Sequence, residues 1–82
     1  MENNENLELL IKQATRIAIQ NGSISISTIQ RKLGVGYPLA AKILDAMTER
    51  GYVSPSEEFR RSKVLMDKEG FEQTFGESFD EE

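Results

Sequence analysis

The side chains best equipped for chemistry in this 82-residue chain are its cations. Nine of them (Lys12, Arg16, Arg31, Lys32, Lys42, Arg50, Arg60, Arg61 and Lys63) lie between positions 12 and 63, against four acids (Asp45, Glu49, Glu57 and Glu58), so this stretch carries +5. The other ten acids and Lys68 flank it and carry −9, which gives the net charge of −4. A basic body between acidic ends suits an anionic partner, which a clustered positive field attracts whatever the total charge. The acidic ends would serve equally to keep the protein soluble, with part of the +5 being ordinary solvated surface.

Catalytic chemistry has little to work with. The chain has no His and no Cys, which removes the commonest general base, thiolate nucleophiles, disulfides and the usual zinc ligands. No Gly-rich loop ending in Gly-Lys-Ser/Thr is present to cradle phosphates, and Gly34-Val35-Gly36 lacks the preceding strand and third glycine of a dinucleotide fingerprint. Carboxylates cluster in the tails, where nothing would desolvate one into a general acid. No cofactor and no metal are expected, and the chain is expected to bind and not to catalyse. A Cys-free sequence fits a reducing cytoplasm. The start, Met1-Glu-Asn-Asn-Glu-Asn, has neither a basic n-region nor an apolar h-region, and no apolar run approaches a membrane span. A cytoplasmic protein without membrane contact is expected.

The length allows one domain, and a hydrophobic share of 38% is low for a globular chain yet too high for a disordered one. Leu7, Leu10, Ile11, Ala14, Ile17 and Ala18 recur at helical spacing and predict an amphipathic helix over 7–20, with Glu8 and Lys12 as an i,i+4 pair and Asn21-Gly22 as its end. Ser23-Ile24-Ser25-Ile26 alternates like a short strand. Ser27 then reads as an N-cap, with Gln30 completing a capping box and Ile26 as a staple residue. The helix so started, 28–33, closes at Gly34, and 34–36 form a turn. Pro38 is tolerated in the first turn of a third helix, whose buried stripe is Ala40, Ala41, Ile43, Leu44 and Met47 and which Gly51 ends. Tyr52-Val53 and Lys63-Val64-Leu65-Met66 read as two strands of a hairpin whose long polar tip, 54–62, is a wing. The expected organisation is a disordered N-terminal tail at 1–6, a domain over 7–66, and an acidic tail over 67–82. Phe71, Phe75 and Phe79 recur every four residues, so that tail forms either a last short helix or a partly disordered segment.

Two helices joined by a tight Gly-containing turn make a helix-turn-helix, and the expected fold is α+β: a winged helix-turn-helix of three helices with a small antiparallel β-hairpin wing. In such folds the second helix of the motif enters the major groove of DNA while the first crosses the backbone. Tyr37, Pro38, Leu39 and Lys42 would face outward at that end, Arg31 and Lys32 could reach phosphates from the preceding helix, and Arg60, Arg61 and Lys63 would do so from the wing. The expected DNA-contacting set is these nine residues with Ser27. Each has a plainer reading. Arg31 and Lys32 could only offset a helix dipole. Tyr37 could be a core or cap residue holding the turn. Leu39 could touch a thymine methyl, pack on the wing or mark a protein-binding surface, and the tail phenylalanines could pack on the domain body.

The run Ser25-Ile-Ser-Thr-Ile-Gln-Arg, followed by Val35-Gly-Tyr, resembles the C-terminal gamma domain of the FtsK/SpoIIIE DNA translocases. That family's pattern is roughly S-x-S-x-L-Q-R-x-x-x-I-G-Y-N-R-A-A-x-x-x-D-x-x-E-x-x-G-x-V-x-P. Ser25, Ser27, Ile29, Gln30, Arg31, Val35, Gly36, Tyr37, Ala40, Ala41, Asp45, Gly51, Val53 and Pro55 stand in register with it, and Arg61-Ser-Lys-Val-Leu-Met resembles the family's P-R-x-V-L ending. The resemblance implies a winged helix that binds double-stranded DNA. It further implies reading of short oriented guanine-rich sequences that set the direction of chromosome pumping, and contact with a tyrosine recombinase. Where the family has Asn-Arg after Gly-Tyr, this chain has Pro38-Leu39. Arg reads guanine through two hydrogen bonds and Leu cannot, so an altered or weak sequence preference is expected. The competing expectation is a winged helix that binds another protein instead of DNA, through Leu39 and the Phe-bearing tail. A tail folded over the basic face and weakening DNA binding is a third.

Overall fold

The computed structural model describes residues 4–55 and 61–79. Its elements run α1 (Asn4–Asn21), β1 (Ser23–Ile24), α2 (Ile26–Leu33), α3 (Tyr37–Glu49), β2 (Ser62–Lys63) and α4 (Lys68–Phe75). This is an α+β winged-helix-like fold with a fourth helix appended to the three expected.

Helix α1 begins three residues before the expected Leu7 and buries its stripe as the spacing requires. Ile11, Ala14 and Ala18 are fully buried, with Leu7, Leu10 and Ile17 packed around them. Thr15 also lies inside, which its Oγ1 tolerates by donating to the Ile11 carbonyl at 2.7 Å. The expected Glu8–Lys12 pair does not form. Glu8 binds Arg50, and Lys12 lies 3.2 Å from Glu77.

The cap of α2 is Ser25, two residues before the expected Ser27. Ser25 has the extended backbone of a cap (φ −137, ψ 165), and its Oγ accepts from Thr28 N at 3.3 Å. Thr28 Oγ1 lies 3.0 Å from the same hydroxyl. Ile26 is therefore the first residue of the helix and not a staple outside it, and β1 ends at Ile24 because Ser25 is committed to the cap. Gly34, left-handed at φ 66, closes α2, with its own N–H and that of Val35 both donating to the Gln30 carbonyl (2.9 and 3.3 Å). After the short turn, Gly36 caps α3 and Pro38 occupies its first turn.

The wing differs from a two-stranded hairpin. Ser62–Lys63 pairs antiparallel with β1, Ile24 opposite Ser62 and Ser23 opposite Lys63. The Tyr52-Val53 arm joins only through a Val53–Val64 bridge, with Ser54 N donating to the Lys63 carbonyl at 2.8 Å and Leu65 N to the Tyr52 carbonyl at 2.8 Å. Ser62 points inward, fully buried, and Lys63 outward, as strand alternation demands. Most of the expected tip, including Arg60, lies outside the described residues.

The tail beyond Met66 folds. Asp67 caps α4 by accepting from Gly70 N at 2.8 Å, and Gly76 ends it at φ 74. A Cβ at Gly70 would sit 3.1 Å from Met66 Cγ and 3.2 Å from the capping Asp67 Oδ1, so a glycine inside this helix lets the cap close tightly. Phe71 is fully buried, and its ring lies 4.8 Å from Phe75 and 5.3 Å from Phe79.

Candidate nucleic-acid interface

The helix-turn-helix of α2 and α3 is held by Ile29, Ala40, Ile43, Leu44 and Met47, all in one core with Ile11, Ile24 and Val53. That packing leaves the three expected residues of α2 and the expected cation of α3 outward. Ser27, Arg31 and Lys32 on α2 and Lys42 on α3 are exposed. On the wing, Arg61 and Lys63 are exposed, and Arg61 Nη1 reaches Ser23 Oγ of β1 at 3.5 Å.

In the first turn of α3, Tyr37 takes the outward one of its two expected places, and Leu39 departs from expectation. Tyr37 neither fills the core nor caps the turn; it is 59% exposed. Leu39, expected outward, is half-buried and packs against the core. The reason is angular: Leu39 precedes Ile43 and Met47 by one and two four-residue steps, which places it at the edge of the buried stripe. The outward face of α3 is instead Pro38, Lys42, Asp45 and Glu49, positive at its second turn and acidic beyond. No side chain caps the first amides of α3, so those of Tyr37 and Leu39 face away from the helix ladder.

The remaining described cations, Lys68 apart, are engaged elsewhere. Arg50 grips Glu8 with both nitrogens, at 2.9 and 2.5 Å. Those hydrogen bonds hold the Glu8 carboxyl below its usual range, and they raise the guanidinium further above its own, with Tyr52 contributing second. Arg16 stacks its guanidinium against Phe71 (4.7 Å) and Phe79 (5.1 Å), donates to the Phe79 carbonyl, and lies 3.3 Å from Glu77. Glu72 in turn accepts from Phe79 N at 3.0 Å. Lys12 and Arg16 thus leave the basic body counted from sequence, neutralised by a tail that turns back at Gly76. The tail does cover basic residues, but they are those of α1. Among the described residues, none of Arg31, Lys32, Lys42, Arg61 and Lys63 forms an ion pair with it or with anything else. Burial of Phe71 and Phe79 and the half-burial of Leu39 also remove the apolar surface expected for a protein partner.

The sequence model of the FtsK gamma domain matches residues 5–67. This chain belongs to the FtsK gamma domain family. It is 39% identical over 67 residues to a DNA translocase FtsK of Clostridium tetani, covering 82% of this chain and 9% of the relative. It is 36% identical over 64 residues to the DNA translocase SpoIIIE of Bacillus subtilis (78% and 8%). With a DNA translocase FtsK of Haemophilus influenzae it shares 42% over 55 residues (67% and 10%). The chain therefore spans a tenth or less of the length of these relatives. The gamma-domain match ends at Asp67, so α4 and the Glu77–Phe79 turn that grips Arg16 lie beyond it. No described helix is long and apolar enough to cross a membrane.

Proposed function

We propose that this chain is a double-stranded DNA-binding module of the translocase gamma type, meeting phosphates with Arg31, Lys32, Lys42, Arg61 and Lys63 and turning the start of α3 toward the major groove. Arg60 belongs to the same proposed set. The observation that carries the reading is the sorting of charge. Lys12 and Arg16 on α1 and Arg50 at the end of α3 are bound to carboxylates, whereas the cations on α2, on the second turn of α3 and on the wing are exposed without ion pairs among the described residues. Exposed cations on these three elements match how a helix-turn-helix with a wing straddles a duplex. Phosphate contacts supply affinity without sequence information. Guanine preference is weak in this reading, because Pro38 offers no donor and Leu39 is turned toward the core. Any translocase motor, a tyrosine recombinase partner and a part in chromosome segregation go with the same proposal. So does a cytoplasmic setting.

Fluorescence anisotropy of labelled duplexes, one guanine-rich and one scrambled, tests it across several salt concentrations. With four to five phosphates neutralised, log K should fall against log salt with a slope of about −4. Lys32→Ala should flatten that slope by about 1 for both duplexes. Absence of binding at low salt would sink the reading. A protein-binding role would then lead, resting on the acidic Asp45 and Glu49 that interrupt the outer face of α3.

A further inference from the structure

The turn that would lie deepest in the groove is chemically unlike its surroundings. Its outward side chains over positions 37–42 are a phenol ring, a pyrrolidine ring and one ammonium. Leu39 and Ala40 turn into the core, and Ala41 is half-buried. No Arg, Asn or Gln occurs in that stretch, and those are the side chains that make paired hydrogen bonds to guanine or adenine edges. Tyr37 is one of three large apolar residues left exposed among the described residues, with Leu9 and Leu65. It follows Arg31 and Lys32 across the turn, and Pro38 beside it lies one helical turn before Lys42, so phosphate contacts made by those cations would bring the two rings against a base edge.

We propose that Tyr37 and Pro38 form an apolar specificity patch that reads the C5-methyl groups of pyrimidines in the major groove. The inference rests on the DNA-binding reading above and adds what is read. A ring face recognises a methyl by burying it and needs no hydrogen bond, so the patch distinguishes thymine from cytosine by the methyl alone. It follows that 5-methylcytosine, which carries its methyl at the same place in the groove, is read as thymine. The preferred ligand class is duplex DNA with thymine, or methylated cytosine, at the step facing the start of α3.

The test uses the full chain and two pairs of mixed-sequence duplexes in anisotropy titrations at one low salt concentration. In one pair every thymine is kept or replaced by deoxyuridine; in the other every cytosine is unmodified or 5-methylated. Each methyl buried should tighten binding about fourfold, so the methylated member of each pair should win. Tyr37→Ala should erase both preferences while the circular dichroism spectrum stays unchanged, and Tyr37→Phe should keep them. Lys32→Ala should weaken all four duplexes alike. Equal binding within both pairs, or preferences that survive Tyr37→Ala, would overturn the inference and leave the DNA-binding reading standing. A uniform loss in Tyr37→Phe would also overturn it, since the hydroxyl would then be holding a phosphate. Failure of every duplex to bind would overturn both.

Discussion

Replacing Phe71 with alanine removes a ring that is fully buried and touched on three sides, by Phe75, Phe79 and the Arg16 guanidinium. Truncation of a buried Phe costs about 3–5 kcal/mol, and an 82-residue domain has in total only about 4–12 kcal/mol to lose. The chain has a cheaper outlet than global unfolding, because α4 packs on α1 outside the α1–α3 core and can leave that site while the core persists. The loss is then capped near the free energy that docks α4, so a decrease of about 3 kcal/mol is expected in urea unfolding. The m-value should fall as well, since a native state with α4 released has less surface left to expose. Native-state hydrogen exchange should show α4 amides losing protection while those of Ile29 and Ile43 keep theirs. A loss under about 1 kcal/mol with α4 amides still protected would refute the role given to Phe71.

Ser25→Ala should destabilise the domain by about 1 kcal/mol and Ser27→Ala by little, as measured by thermal melts; equal losses would return the cap to Ser27. Glu8→Gln should lower stability by under about 1 kcal/mol at neutral pH, the range of an exposed ion pair. Because the folded pKa of Glu8 lies below its ordinary 4.5, that difference should be present above this value and vanish as pH falls through the folded pKa, which paired urea titrations across pH would show. Leu39→Ala should cost about 1–2 kcal/mol through lost packing of a half-buried side chain, whereas Tyr37→Ala should leave stability nearly unchanged; the reverse ranking in urea unfolding would mean the first turn of α3 is oriented differently.

Periodicity made α1 and the body of α3 legible, since each buries one continuous stripe. It pointed to Ser27, because Gln30 completes a capping box there and the polar–apolar alternation assigned Ser25 to the strand, whereas the cap is Ser25. The choice was made by where the chain turns out of β1. The pairing of Ser62–Lys63 with Ser23–Ile24 was also hidden: it joins segments some forty positions apart, and no local signal announces it. In the tail, the four-residue spacing of the phenylalanines carried the right signal, and Gly70 and Gly76 serve that helix as its cap-closing and terminating residues. For the candidate site, the exposed cations of α2 and the wing were readable from composition. The fate of Lys12 and Arg16 was not, because it depends on a tertiary contact with Glu77. Leu39 was readable in principle, since its step to Ile43 places it at the edge of the buried stripe.

The order of charges along α3 runs against the helix's own interest. A helix is steadied by acids at its positive beginning and bases at its negative end. Here there is no acid in the first turn and no base in the last, while Asp45 and Glu49 fall in the C-terminal half. The cation just past the end, Arg50, is tied to Glu8. Each reversed charge forgoes about 0.3–1 kcal/mol. The backbone dipole and the side chains then point the same way, so α3 behaves as a small oriented rod whose positive tip is its leading end. A polyanion would draw that tip forward and push the other away before any contact formed. Exchanging the positions of Lys42 and Glu49 should therefore make the protein more stable and slower to associate.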